Sequence, residues 1–268
     1  MDIKKIGEVH QTRTLNELGV DYFGDTGEVF RIQPLVNVIK IGGQSIMDRG
    51  RKALLPLLDE IVANKEKHKM ILGTGGGTRS RHTYSVALDL GMPTGVVARL
   101  GSLISRQNAK ILHVLLCKHG GIFVLKETFE QIPFILAAGC IPIIDGMPPY
   151  EIYERPARGG RIPENRTDAG IFLIGCVLGG RSVIFVKDED GLYTDDPKKN
   201  PKAEFIPKIS AQELLDMDLN DLVIERKVLE ILPRAQNMRQ IQIINGLVPG
   251  NLTKALNGEH VGTIITAE

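Results

Sequence analysis

Three segments of the sequence combine glycine with charged side chains in a way that suits phosphate binding. They are K-I-G-G at 40–43, G-T-G-G-G-T at 73–78 followed by Arg79 and Arg81, and K-D-E-D-G-L-Y-T-D-D-P at 187–197. Glycine lets backbone N–H groups approach an anion closely, lysine supplies a point charge, and arginine forms bidentate contacts with phosphate. Neither a Walker A motif nor a G-x-G-x-x-G motif is present, which excludes the two common nucleotide-binding patterns.

Each segment also has a purely structural interpretation. A glycine turn can simply follow an edge strand, and aspartate with glycine satisfies ordinary loop geometry. In the second segment, consecutive glycines precede a predicted helix N-terminus, which is a physical anion site. The two arginines there favour a function, because loop flexibility alone does not require them.

The segments follow predicted strands in a chain that alternates strand and helix. Apolar runs predict strands at 35–41, 69–73, 121–125, 141–145, 182–187, 241–245 and 262–266, and helical periodicity predicts helices near 53–62, 81–90, 167–178, 211–217 and 224–232. This order predicts an α/β fold, a three-layer α/β/α sandwich with a mainly parallel sheet. Ligands of such sheets bind at the carboxyl ends of the strands, where the glycine segments lie. We expect residues 1–33 to be an N-terminal extension of a domain at 34–268.

The composition excludes several other classes of function. The 33 Lys and Arg residues nearly balance the 32 Asp and Glu residues, so no overall charge attracts nucleic acid or a membrane. Aromatic residues make up only 5% and there is no tryptophan, which argues against stacking on nucleic-acid bases. Neither an apolar stretch of membrane-spanning length nor a secretory signal is evident. Three widely spaced cysteines without a C-x-x-C pair indicate a reduced, cytoplasmic protein.

Further motifs give the chain a family resemblance. G-S-L-I-S-R-Q-N at 101–108, R-T-D-A-G at 166–170 and V-P-G-N-L-T-K-A-L-N-G-E-H-V-G-T-I-I-T at 248–266 join the glycine segments in order. From about residue 35 to 266 the chain resembles the amino-acid kinase superfamily, with uridylate kinases as general relatives. K-I-G-G-Q-S, G-M-P-P-Y and V-K-D-E-D-G-L-Y-T are similar to the β-type subunits of molybdenum storage proteins in that superfamily.

The resemblance implies an ATP site and assigns roles within it. It implies that Lys40 and Asp168 are catalytic, with Asp168 orienting the lysines, and that phosphoryl chemistry is helped by Mg²⁺. It also implies a C-terminal, nucleotide-side lobe at 161–268 and an N-terminal, acceptor or cargo-side lobe before it. The implied nucleotide-binding residues are Lys40, Gly42, Gly43, Gly76, Gly77, Arg81, Lys187, Asp190, Gly191, Tyr193 and Asp196.

The acceptor half departs from the uridylate kinase pattern. Ala98 stands where those kinases place an acceptor-binding aspartate, and residues 161–165 replace their acceptor loop. Lys187 stands where they have threonine. The ATP half is therefore kept while the half for a nucleoside monophosphate is altered.

The resemblance implies an ATP-binding subunit that accumulates molybdate or tungstate as polyoxometalate clusters. It further implies a paralogous α subunit, assembled as three αβ dimers, with no nucleic-acid or membrane partner. A small-molecule phosphotransferase with an altered acceptor site, and an idle nucleotide-binding partner, are the alternatives. The candidates for oxometalate contacts are His82, His113, His119, Glu127 and Gln131, although an ordinary surface or core imidazole explains each histidine more readily than a ligand does.

Overall fold

A computed structural model of the chain describes residues 30–156, 162–219 and 222–268. The predicted N-terminal extension, residues 1–33, lies outside the described residues except for its last four. Within the described ranges, no helix combines the length and the apolar character that crossing a membrane requires.

The strands build one large sheet and one small hairpin. They are β1 (Val36–Ile41), β2 (Lys69–Thr74), β3 (Gly121–Phe123), β4 (Ile141–Asp145), β5 (Ser182–Lys187), β6 (Leu192–Tyr193), β7 (Phe205–Ile206), β8 (Lys208–Ser210), β9 (Gln240–Asn245) and β10 (Thr263–Thr266). The large sheet has the order β3-β4-β2-β1-β5-β9-β10-β8, in which only β9 and β10 pair antiparallel. β6 and β7 form a separate antiparallel pair. The predicted mainly parallel sheet is confirmed.

Helices cover both faces of this sheet. They are α1 (Arg51–Asn64), α2 (Gly77–Asp89), α3 (Thr94–Leu116), α4 (Ile132–Ala137), α5 (Thr167–Leu178), α6 (Ala211–Asp216), α7 (Arg226–Ile231) and α8 (Asn251–Leu256). Successive strand residues point to opposite faces. In β1, Val36 and Val38 therefore pack with the layer that holds α5, whereas Ile39 and Ile41 pack with the layer that holds α1 and α3. The predicted three-layer α/β/α sandwich is confirmed.

The longest helix is the main element that sequence periodicity did not predict. α3 contains 23 residues, and the G-S-L-I-S-R-Q-N segment lies in its middle. Its buried face includes Ser102, Ser105 and Asn108. Because these polar residues interrupt the apolar spacing, the usual helical signal is weak here. α2 also begins at Gly77, earlier than predicted, since its first turn carries no apolar residue.

Candidate functional site

A cleft of about 690 Å³ opens at the carboxyl ends of β1, β2 and β5. Its lining includes the glycine loop at 75–77, the first turn of α5, the segment that follows β5, and residues 222–225 before α7. Open α/β sheets bind ligands at this edge, and the volume falls within the range of roughly 300–1,000 Å³ typical of small-molecule sites. The cleft is therefore the candidate functional site.

Strand alternation brings two lysines to the same face of the sheet. Lys40 shares its face of β1 with Val38, and Lys187 shares its face of β5 with Phe185. Lys40 lies opposite Phe185 in the parallel register of β1 and β5. The two ammonium groups consequently meet at the carboxyl ends of neighbouring strands, where α5 begins.

Asp168, in the first turn of α5, lies between these lysines. Its Oδ1 is 2.6 Å from the Nζ of Lys40, and its Oδ2 is 3.1 Å from the Nζ of Lys187. Asp168 is 3% exposed and Lys40 is 4% exposed. Burial makes such contacts strong, because little water competes with them. We call Lys40, Asp168 and Lys187 the two-lysine centre.

The protonation of this centre follows from burial and from mutual charge. Burial raises the pKa of Asp168, but the positive charges of Lys187 and Lys40 outweigh it and hold that pKa well below its ordinary value. Burial lowers the pKa of Lys187 from 10.5 to about 8, against the opposing influence of Asp168. Asp168 is therefore a carboxylate at neutral pH, placed between two lysine side chains that line the cleft.

Glu225 adds a second, largely buried carboxylate that sequence analysis did not single out. It lines the cleft immediately before α7, and it accepts hydrogen bonds from the backbone N–H groups of Asp168 at 3.0 Å and Ala169 at 3.1 Å. Burial, followed by the negative charge of Asp168, raises the pKa of Glu225. In the sequence, Glu225 stands only as a glutamate at the start of a predicted helix. Nothing in that position indicates that its side chain contacts the start of a different helix.

The motif in α3 supports the glycine loop from behind. The amide of Asn108 donates to the carbonyl oxygen of Gly75 at 2.6 Å. Ser105 donates its hydroxyl to the carbonyl oxygen of Thr74 at 2.7 Å, and Thr74 donates back to the Ser105 carbonyl oxygen at 2.8 Å. These buried bonds hold the end of β2 against α3. The motif's polar residues therefore fix the loop that faces the cleft.

The two glycine segments approach each other closely. A Cβ atom on Gly43 would lie 2.7 Å from the Cα of Gly77, so only glycine permits this contact. Gly77 has a φ of 68°, a left-handed conformation that glycine adopts without strain. Asp48 accepts a hydrogen bond from the N–H of Thr78 at 2.6 Å. A carboxylate of this chain thus already occupies part of the predicted anion site at the start of α2.

Most of the predicted nucleotide-binding residues line the cleft. They are Lys40, Gly43, Gly76, Gly77, Arg81, Lys187, Gly191, Tyr193 and Asp196. The other two lie outside its lining: the N–H of Gly42 donates to the Val186 carbonyl oxygen at 3.0 Å, and Asp190 accepts from the amide of Asn245 at 2.9 Å. Lining residues that the sequence analysis missed include Asp48, Arg49, Tyr84, Arg166, Asp188 and Glu225.

The two arginines of the glycine loop have different positions. Arg81 lines the cleft. Arg79 instead donates to the side chains of Gln107, at 3.0 Å, and Asn108 on α3. Only Arg81 is therefore in a position to contact a ligand in the cleft, whereas Arg79 joins α2 to α3.

The far wall of the cleft is the β6–β7 hairpin. The rings of Tyr193 and Phe205 meet edge to face with centroids 5.5 Å apart. Asp196 accepts a hydrogen bond from the N–H of Lys198 at 2.9 Å, which orders the turn beyond the tyrosine. Tyr193 and Asp196 thus place an aromatic ring and a carboxylate in the lining of the cleft.

A second cavity, of about 410 Å³, lies between β4 and α5 beside a cluster of charges. Lys126 is 3.3 Å from Asp145 and also pairs with Glu151, which in turn pairs with Arg99. Burial lowers the pKa of Lys126 and raises that of Asp145. The ammonium group of Lys126 is therefore already paired with carboxylates of its own chain.

The candidates for oxometalate contacts lie on separate elements. His82 is exposed on α2, and the Nδ1 of His113 on α3 is 3.0 Å from the carbonyl oxygen of Gly121. His119 follows α3, whereas Glu127 and Gln131 lie in the 3-10 segment Lys126–Gln131. Across the described ranges, no three His, Cys, Asp or Glu side chains converge to hold a metal ion. These contacts stay predictions.

Comparison with known proteins gives consistent matches. The model of the amino acid kinase family matches residues 36–245. The chain is 50% identical over 263 residues to molybdenum storage protein subunit beta of Azotobacter vinelandii, and the alignment covers 98% of this chain and 97% of that protein. It is 29% identical over 242 residues to the uridylate kinase of Thermofilum pendens, covering 86% and 97% respectively. The crystal structure of uridylate kinase from Archaeoglobus fulgidus matches with a TM-score of 0.64 at 22% identity, covering 86% of this chain and 99% of that chain. The resemblance predicted from the motifs is confirmed.

Proposed function

Because the chain belongs to the amino acid kinase family, we propose that it is the ATP-binding subunit of an assembly that stores molybdate or tungstate. One observation carries the nucleotide half of the proposal. It is the two-lysine centre, which is largely buried and lies at the strand ends beside a close-packed glycine loop.

The residues that line the cleft suit a nucleoside triphosphate. Lys40 and Lys187 would hold phosphate oxygens, with Arg81 at the start of α2 as a further cation. Arg166 also lines the cleft; its Nε has no hydrogen-bond partner and lies 3.8 Å from Oε1 of Glu225, so its guanidinium is a further candidate cation for phosphate. Tyr193 would contact the base and Asp196 the ribose, as the family resemblance implies.

Mg²⁺ belongs to the proposal as the companion of the phosphates. This ion keeps much of its water and usually binds substrate phosphates with only one or two carboxylates. The described residues contain no cage of three or more ligating side chains, which is consistent with a metal that enters with the nucleotide. Bound Mg²⁺ would neutralise part of the negative charge of the phosphates, and Lys40 and Lys187 would neutralise more of it. The positions of the two lysines would also orient the triphosphate.

The storage half rests on the 50% identical relative, whose name states both a molybdenum storage role and a subunit. We infer the same cargo, molybdate or tungstate held as polyoxometalate clusters, and a paralogous α subunit with three αβ dimers in the assembly. The contact candidates His82, His113, His119, Glu127 and Gln131 belong to this part of the proposal. Three free cysteines favour a reducing compartment, and we place the protein in the cytoplasm.

A phosphotransferase with an altered acceptor is the second candidate. The observation in its favour is that the lysines and the aspartate that phosphoryl transfer requires are all present in the cleft. Against uridylate as the acceptor, Ala98 is fully buried in α3 and offers no group for a substrate hydroxyl. An idle nucleotide-binding partner would keep the same contacts without turnover.

An assay of ADP release separates the three. The full chain, expressed with its paralogous partner, is supplied with Mg²⁺ and ATP alone, then with UMP, molybdate or tungstate. The storage proposal predicts ADP release that rises with the oxometalate and not with UMP, and that falls in the Lys40→Ala variant. Stimulation by UMP would favour the phosphotransferase, and nucleotide binding without any release would favour the idle partner.

A further inference from the structure

The carboxylate of Glu225 occupies the N-terminus of α5. Its Oε1 accepts from the N–H of Asp168 at 3.0 Å, and its Oε2 accepts from Arg166 at 3.2 Å and from Ala169 at 3.1 Å. The first N–H groups of a helix have no partner inside the helix and carry partial positive charge. Glu225 satisfies three of them with a single side chain from the segment before α7.

The contact between Glu225 and Asp168 is reciprocal. The backbone N–H of Glu225 donates to Asp168 Oδ2 at 3.2 Å. The same carboxylate of Asp168 binds Lys40 through Oδ1 and Lys187 through Oδ2. An aspartate has only two side-chain torsions, so fixing its backbone and one oxygen leaves the carboxylate little freedom. The position of both ammonium groups thus depends on the clamp made by Glu225.

We propose that Glu225 is a positioning residue for the two-lysine centre, holding the first turn of α5 so that Asp168 aligns Lys40 and Lys187 in the cleft. The substrate of that centre, a nucleoside triphosphate, rests on the proposed function. The clamp itself rests only on the contacts described above. Glu225 acts through Asp168 and contacts neither ammonium group directly in these bonds.

The charge of Glu225 has a second consequence at Lys187. The charged groups that face this lysine are Lys40 from β1, Asp168 from α5 and Glu225 from the segment before α7. Burial lowers the pKa of Lys187 most strongly, Asp168 raises it, Lys40 lowers it and Glu225 raises it. Replacing Glu225 by a neutral residue removes this last contribution and releases Asp168, whose contribution is larger, so we expect the pKa of Lys187 to fall further. A cap that did not align Asp168 would leave that larger contribution in place.

Glu225→Gln is the main variant, because it keeps the size of the side chain and removes its charge. Glu213→Gln is the matched control: Glu213 caps α6 by accepting from the Ser210 N–H at 3.0 Å, and it lies outside the cleft lining. We expect Glu225→Gln to lower kcat for ATP hydrolysis by roughly 10- to 100-fold with little change in KM, since misplaced groups at a reacting centre cost that much. The basic limb of its pH–rate profile should move to lower pH. The control should match the wild type in both.

A second variant separates reach from charge. Glu225→Asp keeps the negative charge but shortens the side chain, so we expect it to lose part of kcat while the basic limb stays in place. Unchanged kcat and an unmoved pH limb in Glu225→Gln would overturn the proposal. So would a loss of kcat without a pH shift, since that pattern describes a structural cap.

One readout works without nucleotide turnover. The rate at which acetic anhydride labels Lys187, followed by mass spectrometry over a range of pH, gives the protonation midpoint of that lysine in the full chain. A lower midpoint in Glu225→Gln, and not in Glu213→Gln, supports the clamp even if the wild type fails to bind ATP and the proposed function falls. The same midpoint in all three proteins overturns the clamp, whatever the ATP assays give.

Discussion

The titration of Lys187 predicts how nucleotide affinity changes with pH. In the free chain the pKa of this lysine is lowered from 10.5 to about 8 because the side chain is buried. A bound triphosphate places negative charge beside the ammonium group, which raises the pKa again. The protonated form is therefore favoured by ligand binding. Below pH 8 the lysine is charged with or without nucleotide, and affinity does not depend on its titration.

Above pH 8, Lys187 of the nucleotide-free chain is mostly neutral, so it must take up a proton when ATP binds. The free energy of this protonation makes ATP binding less favourable by about 1.4 kcal/mol for each further pH unit. With the pKa at about 8, the dissociation constant for ATP at about pH 9.5 should be roughly 30-fold larger than at about pH 7.5. About one proton should be taken up per ATP bound at the higher pH.

Isothermal titration calorimetry measures both quantities. Titrations of the full chain with ATP and Mg²⁺, made in two buffers of different ionisation enthalpy, give the affinity and the proton uptake together. Lys187→Met is the matched variant, because it retains a long flexible side chain without the charge. It should bind roughly 10- to 100-fold more weakly at about pH 7.5, as expected for one lost charge-assisted contact, and lose the pH dependence. Equal affinity at both pH values with no proton uptake would refute this account of the centre.

Two further substitutions test the glycine loop. Gly43→Ala would force two backbone segments apart, since its Cβ would lie 2.7 Å from the Cα of Gly77. We expect ATP affinity to fall by about 100-fold in a protein that still gives a cooperative thermal melt. Near-normal ATP affinity would contradict the close approach of the two segments. Asn108→Ala removes the hydrogen bond to Gly75 and should weaken ATP binding by roughly 3- to 10-fold. Gln107→Ala, on the same helix but without that bond, should leave ATP binding unchanged. Equal effects of the two substitutions would contradict the conclusion that Asn108 supports the glycine loop.

The fold was largely predictable because strand and helix periods are local. A short apolar run with β-branched residues, such as 182–187, is typical of a strand buried on both faces, and the structure places β5 at those residues. α3 escaped prediction because its buried face carries serines and an asparagine that serve the glycine loop. An element that supports a site through polar contacts loses the apolar period on which such a prediction depends.

The sequence predicted which types of residue form the candidate site, but it did not predict most of the contacts between them. Glycine, lysine and aspartate at strand ends indicated anion chemistry, and the cleft gathers Lys40, Asp168 and Lys187. Glu225 lies 57 residues from Asp168 in the chain, so only the folded structure reveals that it caps α5. The different directions taken by Arg79 and Arg81 also depend on the position of α3, which the local sequence does not encode.

A native mass spectrum of the assembly tests the central claim most directly. The chain would be co-expressed with its paralogous partner in medium containing tungstate, then measured after incubation with ATP and Mg²⁺, beside a Lys40→Ala assembly. We predict a hetero-oligomer of three αβ pairs that carries nucleotide and many tungsten atoms per chain, and less metal in the variant. An assembly with one metal atom or fewer per chain, or equal loading in the variant, would contradict ATP-linked oxometalate storage.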